Sequence, residues 1–322
     1  MSNEIVDLKL KEAGIDPVTV SQPEDELPEM PIGSLRYYAL HDSDVNSLQS
    51  KDRPTLVTLF GISECGKTTF VGSLFAILRR RPELLKVTFL DSDTLAGFEH
   101  RVYRRFLTKA GKSEIPHTQR KSANILNVVL GDERGENERM IVLSDLSGEV
   151  YKDAISKNDV VEKQTAVKYA DKLLIFADVE SLLSSKTYTS YKGGFKSLLS
   201  RFKDKGMLPN EADIFLAFNK IDLVNAKVQK EAVNEEGEID EVKKEAIESM
   251  WQVRKQAIIN IANEVIPIPD DNIYEINSLG IQRDAENVSL IKLFGELIRK
   301  KAVPPLSTEY QWLQKLSKSK AL

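Results

Sequence analysis

Eight consecutive residues, Gly61-Ile62-Ser63-Glu64-Cys65-Gly66-Lys67-Thr68, carry the densest chemistry in the chain. They fit the pattern G-x-x-x-x-G-K-[ST]. The two glycines let the backbone turn tightly and aim its N–H groups inward, an arrangement that suits phosphate oxygens. Lys67 supplies a point charge for the β- and γ-phosphates, and Thr68 offers a hydroxyl to Mg²⁺. Before the loop, Thr55 to Phe60 is apolar and β-branched and reads as a buried strand. After it, Thr68 to Arg81 carries apolar residues at helical spacing and stops at Pro82. The helix that opens here adds its positive N-terminal end to the same site. Ser63, Glu64, Cys65 and Thr69 complete the residues expected around the phosphates. Cys65 is the chain's one cysteine and has two readings. It is a small residue facing the core, or a thiol activated by the surrounding N–H groups.

Three shorter patterns follow downstream. Asp145-Leu146-Ser147-Gly148 ends the apolar run that starts at Met140. A carboxylate at a strand end after such a loop is placed to hold Mg²⁺, usually through water, and Gly148 can bring its N–H to a γ-phosphate. Asn219-Lys220-Ile221-Asp222 follows the run Ile214 to Phe218. The Asp222 carboxylate can accept two hydrogen bonds from a guanine edge, whereas adenine would leave it unpaired. Lys220 can lie along the base, and Asn219 can tie this loop to the phosphate loop. Last, Asn277-Ser278-Leu279-Gly280 follows the final apolar run, where the N–H groups of Ser278 and Leu279 are candidates for guanine O6. In this order the patterns favour GTP over ATP and argue against an ATP-using kinase.

The elements that would position these residues are strands at 55–60, 86–90, 124–130, 139–145, 172–178, 213–219 and 272–277. Helical patterns fall at 68–81, about 159–170, 192–205, 241–265 and 287–301. Strands alternating with helices imply an α/β fold, a mostly parallel sheet with helices on both faces. The adjacent runs 124–130 and 139–145 would form a hairpin and supply an antiparallel edge. The chain of 322 residues then resolves into an acidic arm over 1–54, a main domain over 55–302 with a charged insert at about 227–250, and a tail over 303–322. The arm holds 11 acidic and 5 basic residues, a local charge of -6, and its stretch Leu35 to Leu40 is a candidate edge strand. The net charge of -4 excludes a generally basic nucleic-acid binder. No apolar run approaches the ~20 residues of a membrane helix, and no signal peptide is expected, so the cytoplasm is the expected compartment. His41, His100 and His117 show no zinc-ligand spacing.

Taken together, the four motifs resemble those of the Ras-like P-loop GTPases of the TRAFAC class, over residues 55–302. The segment Asp91-Ser-Asp-Thr-Leu-Ala-Gly-Phe-Glu-His-Arg101, followed by Ile115-Pro-His-Thr118, is more narrowly similar to the bacterial double-GTPase group of GTPase-associated conflict systems. The resemblance implies a three-layer P-loop NTPase fold whose mostly parallel sheet has one antiparallel strand. It also implies a Mg²⁺-dependent GTP switch that hydrolyses slowly and signals to protein partners: another GTPase, an activating protein or an effector. Dimerisation and a bacterial defence setting come with it. Within that resemblance Thr118 matches the switch threonine that joins Thr68 and Asp145 on the metal, with Thr94 and Thr108 as alternatives.

One position departs from the pattern. Glu149 directly follows Gly148, where small GTPases often carry a water-orienting Gln. A carboxylate there is unfavourable beside a γ-phosphate, so hydrolysis should be slow unless another residue places the water. An arginine finger is typically worth ~10³–10⁵ in rate. It could come from a partner or from Arg101, Arg104, Arg105 or Arg120, each of which ordinarily reads as a solvated surface residue. The alternative to a switch is a nucleotide-binding scaffold with little turnover that docks a partner GTPase or effector.

Overall fold

The computed structural model describes residues 39–40, 53–109, 125–234, 237–279 and 287–299. Its centre is β1 (Thr55–Phe60), buried along its whole length. Such a strand, covered on both faces, reads as a continuous apolar run rather than an alternating one. The phosphate loop leads from it into α1 (Lys67–Arg80). Arg81 then leaves helical geometry, and a 3₁₀ turn at Pro82–Leu85 reverses the chain into β2 (Thr88–Asp91). Next come α2 (Leu95–Lys109), β3 (Ile125–Gly131) and β4 (Arg139–Ser144). Three short helices follow: α3 (Gly148–Ala154), α4 (Asn158–Glu162) and α5 (Thr165–Lys168). The rest alternates: β5 (Lys172–Asp178), α6 (Val179–Leu183), α7 (Tyr188–Asp204), β6 (Asp213–Asn219), α8 (Asp222–Glu231), α9 (Glu241–Val265), β7 (Ile273–Ile276) and α10 (Val288–Ile298).

The seven strands form one sheet in the order β2-β3-β4-β1-β5-β6-β7. β3 pairs antiparallel with β2 and with β4, and every other pairing is parallel, so β3 alone runs against the rest. This is the three-layer α/β architecture of a P-loop NTPase. The β3–β4 hairpin is not the sheet edge that the sequence pattern suggests, because β2 lies outside it in register from Thr88 with Gly131. At the other end of β3 from its pairing with β2, Leu40 bridges Ile125 through two backbone hydrogen bonds of 2.9 and 3.0 Å. Residues 35–38 of the candidate edge strand, the remainder of 1–54 outside 39–40 and 53–54, and the tail 303–322 lie outside the described residues. The charged stretch 227–250 covers the end of α8, a bridge between Val233 and Ile239, and the start of α9. The expected helix at 159–170 is two short ones, α4 and α5. No described helix is long and apolar enough to cross a membrane.

Successive residues of each central strand serve opposite faces. Phe60, Leu173, Ile175 and Phe218 pack with Tyr151, Phe202 and Trp251 on one side. Leu59, Leu174 and Phe176 pack with Phe70, Phe75, Phe98 and Phe294 on the other. Phe70 of α1 fixes the helix that follows the phosphate loop, with its ring 5.2 Å from Phe176 of β5 and 4.7 Å from Phe294 of α10. Phe294 is fully buried, so truncating it removes a wall of this cluster. Phe294→Ala should therefore cost about 3–5 kcal/mol. In urea unfolding this would show as a lower midpoint with an unchanged slope.

Candidate functional site

The phosphate loop leaves the C-terminal end of β1 and closes at Gly66, which precedes α1 with φ 89°. A side chain there would be strained, and a Cβ would lie 2.2 Å from Asn219 Nδ2. That contact exists because Asn219 reaches across from the end of β6. Its Nδ2 donates to Cys65 O at 2.9 Å, and its Oδ1 accepts from Ser278 N at 3.1 Å and Ser278 Oγ at 2.9 Å. Ser73 Oγ of α1 donates to the Ser278 carbonyl. Leu279 N donates to Asn277 Oδ1 at 2.9 Å, which shapes the end of that turn. One buried amide thus joins the phosphate loop, the Asn219–Asp222 loop and the Asn277–Leu279 turn.

Lys67 is 6% exposed. Its Nζ donates to Gly61 O at 2.7 Å and Ile62 O at 3.3 Å and lies 5.4 Å from the centre of the Tyr151 ring. Tyr151, on α3, is anchored by donating its hydroxyl to Leu59 O at 2.9 Å. Burial pushes that phenol well above its ordinary pKa, with the Cys65 thiol and Asp145 adding to it, so it remains a neutral donor. Burial also raises the Cys65 thiol, and Asp178 adds to the rise while Lys67 and Lys220 only partly offset it. Of the two readings of this cysteine, the structure favours the core-facing one: a protonated, inaccessible thiol.

The carboxylate of Asp145 is 1% exposed. Its Oδ2 accepts from Thr68 Oγ1 at 3.3 Å and from Arg101 Nε at 2.8 Å. Its Oδ1 has no hydrogen-bond partner among the described residues. Arg101 reads from sequence as a surface residue, and this is corrected. It is 4% exposed and paired with Asp145, because α2 packs its inward face on α1 and delivers the guanidinium to the sheet end. Two residues on, Ser147 starts α3 and accepts from Glu149 N at 3.3 Å. Gly148 abuts the phosphate loop so closely that a Cβ on it would lie 2.3 Å from Ser63 Cα. Ser63 Oγ is buried with no hydrogen-bond partner among the described residues. Glu149, half-buried in the first turn of α3, sits where the helix dipole favours an acid.

At the base end, Lys220 takes φ 68° and pairs with Asp178 Oδ1 at 2.9 Å and Glu180 Oε2 at 2.7 Å. Burial pulls its ammonium down, but the two carboxylates outweigh this and raise it. Asp222 is exposed at the start of α8, yet the protein flanking its carboxyl pushes it above the usual carboxylate range, against Lys220. Glu64 is exposed, and Thr68 and Thr69 are half-buried. Thr94 is fully buried just before α2, and its hydroxyl accepts from Asn127 N at 2.9 Å. Thr118 and Arg120 lie outside the described residues. Arg104, Arg105 and Thr108 fall on α2.

The model of the family described as Double-GTPase 2 matches residues 55–264. The chain belongs to this family. No curated protein matches the chain. Among solved structures, Roco2 RocCORdC of Methanosarcina barkeri bound to GDP aligns with 15% identity over 83% of this chain and 51% of that one. Its TM-score is 0.37, too low to carry an argument, and the chain spans about half of that protein's length.

Sequence reasoning about this double-GTPase site missed Tyr151, Asp178, Glu180 and the pairing of Arg101. Asp178 ends a buried strand as Asp145 does, and that was a legible signal; nothing in the sequence marks Tyr151. The residues present fit a divalent cation. The Thr68 hydroxyl lies 3.3 Å from a buried carboxylate whose other oxygen has no hydrogen-bond partner among the described residues, and hard oxygen donors suit Mg²⁺. The Asn219 link generates a prediction of its own. Asn219→Ala removes three bonds and leaves Cys65 O and Ser278 N without this partner. It should cost about 2–4 kcal/mol, read by chemical denaturation, and native proteolysis should speed up in the 277–279 turn.

Proposed function

We propose that the chain binds GTP with Mg²⁺ and hydrolyses it to GDP and phosphate, slowly on its own, as a cytoplasmic switch that signals to protein partners. The observation that best supports this is the shared Asn219. A loop built for phosphates and a loop built for guanine are joined through one side chain at hydrogen-bond distance. In this reading, the N–H groups of Ser63 to Thr68 and Lys67 Nζ bind the β- and γ-phosphates. Thr68, Asp145 and Thr118 hold the metal, and Gly148 presents its N–H to the γ-phosphate. Asp222 accepts from the guanine ring N–H and amine, Lys220 flanks the base, and Ser278 and Leu279 face O6. When bound, Mg²⁺ would neutralise charge on the phosphate oxygens. The defence setting and a GTPase partner follow from family resemblance and belong to this proposal.

A second reading, a scaffold that holds nucleotide with little turnover, is favoured by one observation. Glu149 occupies the position after Gly148 and is set at the start of α3, where it cannot serve as a neutral water-orienting amide. Phosphate release measured with and without co-purifying partners separates the two. Lys67→Ala should abolish binding of GTP and GDP in fluorescence titration. Asp222→Asn should lower GTP affinity at least ~100-fold while gaining xanthine nucleotide, because the amide inverts one hydrogen-bond polarity. Unchanged affinity in Lys67→Ala would remove the nucleotide reading altogether.

A further inference from the structure

The Asp91–Arg101 segment has no role in the scheme above, yet its geometry converges on one atom. Asp93 Oδ2 accepts from Asn127 Nδ2 at 2.8 Å, and Thr94 is bound to the same Asn127, so the start of α2 is fastened to β3. One turn on, Phe98 stacks on Phe75 of α1 with ring centres 4.7 Å apart. Gly72 of α1 then lets α2 approach closely, since a Cβ there would lie 2.8 Å from Arg101 O. The Gly97 carbonyl accepts from Arg101 Nη1 at 3.1 Å and orients the guanidinium. Its Nε donates to Asp145 Oδ2 at 2.8 Å.

We propose that Arg101 is a positioning residue for the metal-binding carboxylate of Asp145, an inference that rests on the nucleotide reading above. The torsion that turns a carboxylate about its Cβ–Cγ bond is soft and has no sharp minimum of its own. Bonds from Arg101 and Thr68 to Oδ2 fix that torsion and leave Oδ1 as the free acceptor for the metal's water shell. Outer residues that orient a ligand in this way typically change metal affinity by roughly 10–100-fold when removed.

The test is release of a fluorescent GDP analogue from the full chain, followed across a Mg²⁺ titration and in EDTA. The wild type should release more slowly as Mg²⁺ rises. Arg101→Gln should raise the Mg²⁺ concentration for half-maximal slowing by roughly 10–100-fold, while release in EDTA stays within about twofold of wild type. A role confined to packing would move both readings together. Arg101→Lys, which keeps the charge, should recover part of the shift. Gly72→Ala, which pushes α2 off α1 without touching the site, should move the requirement in the same direction by less. These two variants carry the same test if Arg101→Gln does not yield folded protein. An unchanged Mg²⁺ requirement overturns the inference. So does a lowered one, which would mean that guanidinium and metal repel each other more than the pair positions the carboxylate. Slower phosphate release at an unchanged requirement also overturns it, because Arg101 would then be acting on the phosphates. A wild type that ignores Mg²⁺ or does not bind nucleotide overturns the functional reading itself, and that failure is distinguishable because it appears before any substitution is made.

Discussion

A carboxylate with almost no solvent around it is unstable unless its charge is met, and Asp145 is met from two separate elements. Thr68 comes from the first turn of α1 and Arg101 from near the middle of α2. β4 delivers Asp145 beside β1, to which it is paired in parallel from Thr55 with Ile141. The centre of the sheet, the helix after the phosphate loop and the inserted helix α2 therefore share one ionic contact. Breaking a buried pair of this kind by deleting one partner typically costs 3–5 kcal/mol. That cost disciplines the placement of all three elements.

Asn219 works in the same way for neutral groups. A backbone carbonyl in a tight loop and a backbone N–H at a strand end both need partners, because buried polar groups without them are expensive. A side-chain amide offers a donor and an acceptor at once, so it can satisfy both and hold three loops in register. Gly66 is the counterpart of this contact, since any side chain at that position would collide with the amide. The motif residues are thus interdependent: the glycine is required by the asparagine's position as well as by its own backbone angle.

Much of this was legible in the sequence, and the rest has physical reasons for being hidden. Continuous apolar runs located the central strands, because a sheet covered on both faces has no polar face to interrupt them. Loop motifs were legible because their chemistry lies in local spacing. Helix α2 was not. Its key residue is an arginine, which reads as exposed until a carboxylate 44 positions away is known to face it. The strand expected at 86–90 is β2, but its place outside β3 at the sheet edge was not legible, because strand order depends on pairing rather than on local pattern. Tyr151 and Asp178 act through contacts with Lys67 and Lys220 that only the fold creates.

These contacts also bear on how nucleotide state could reach the surface. α3 touches the phosphate loop at two points. Gly148 lies against the backbone of Ser63, and Tyr151 lies beneath the Lys67 ammonium. Space at the first point is closed to even one extra carbon, and the second holds the lysine on its own loop carbonyls. Drawing Lys67 toward phosphate oxygens would loosen its hold on those carbonyls and alter its position over the ring. Bringing the Gly148 N–H to a γ-phosphate would shift the first turn of α3, which carries Glu149. Gly148 is the first residue of this seven-residue helix and Tyr151 its middle one, so both contacts with the phosphate loop fall within the first four residues of α3.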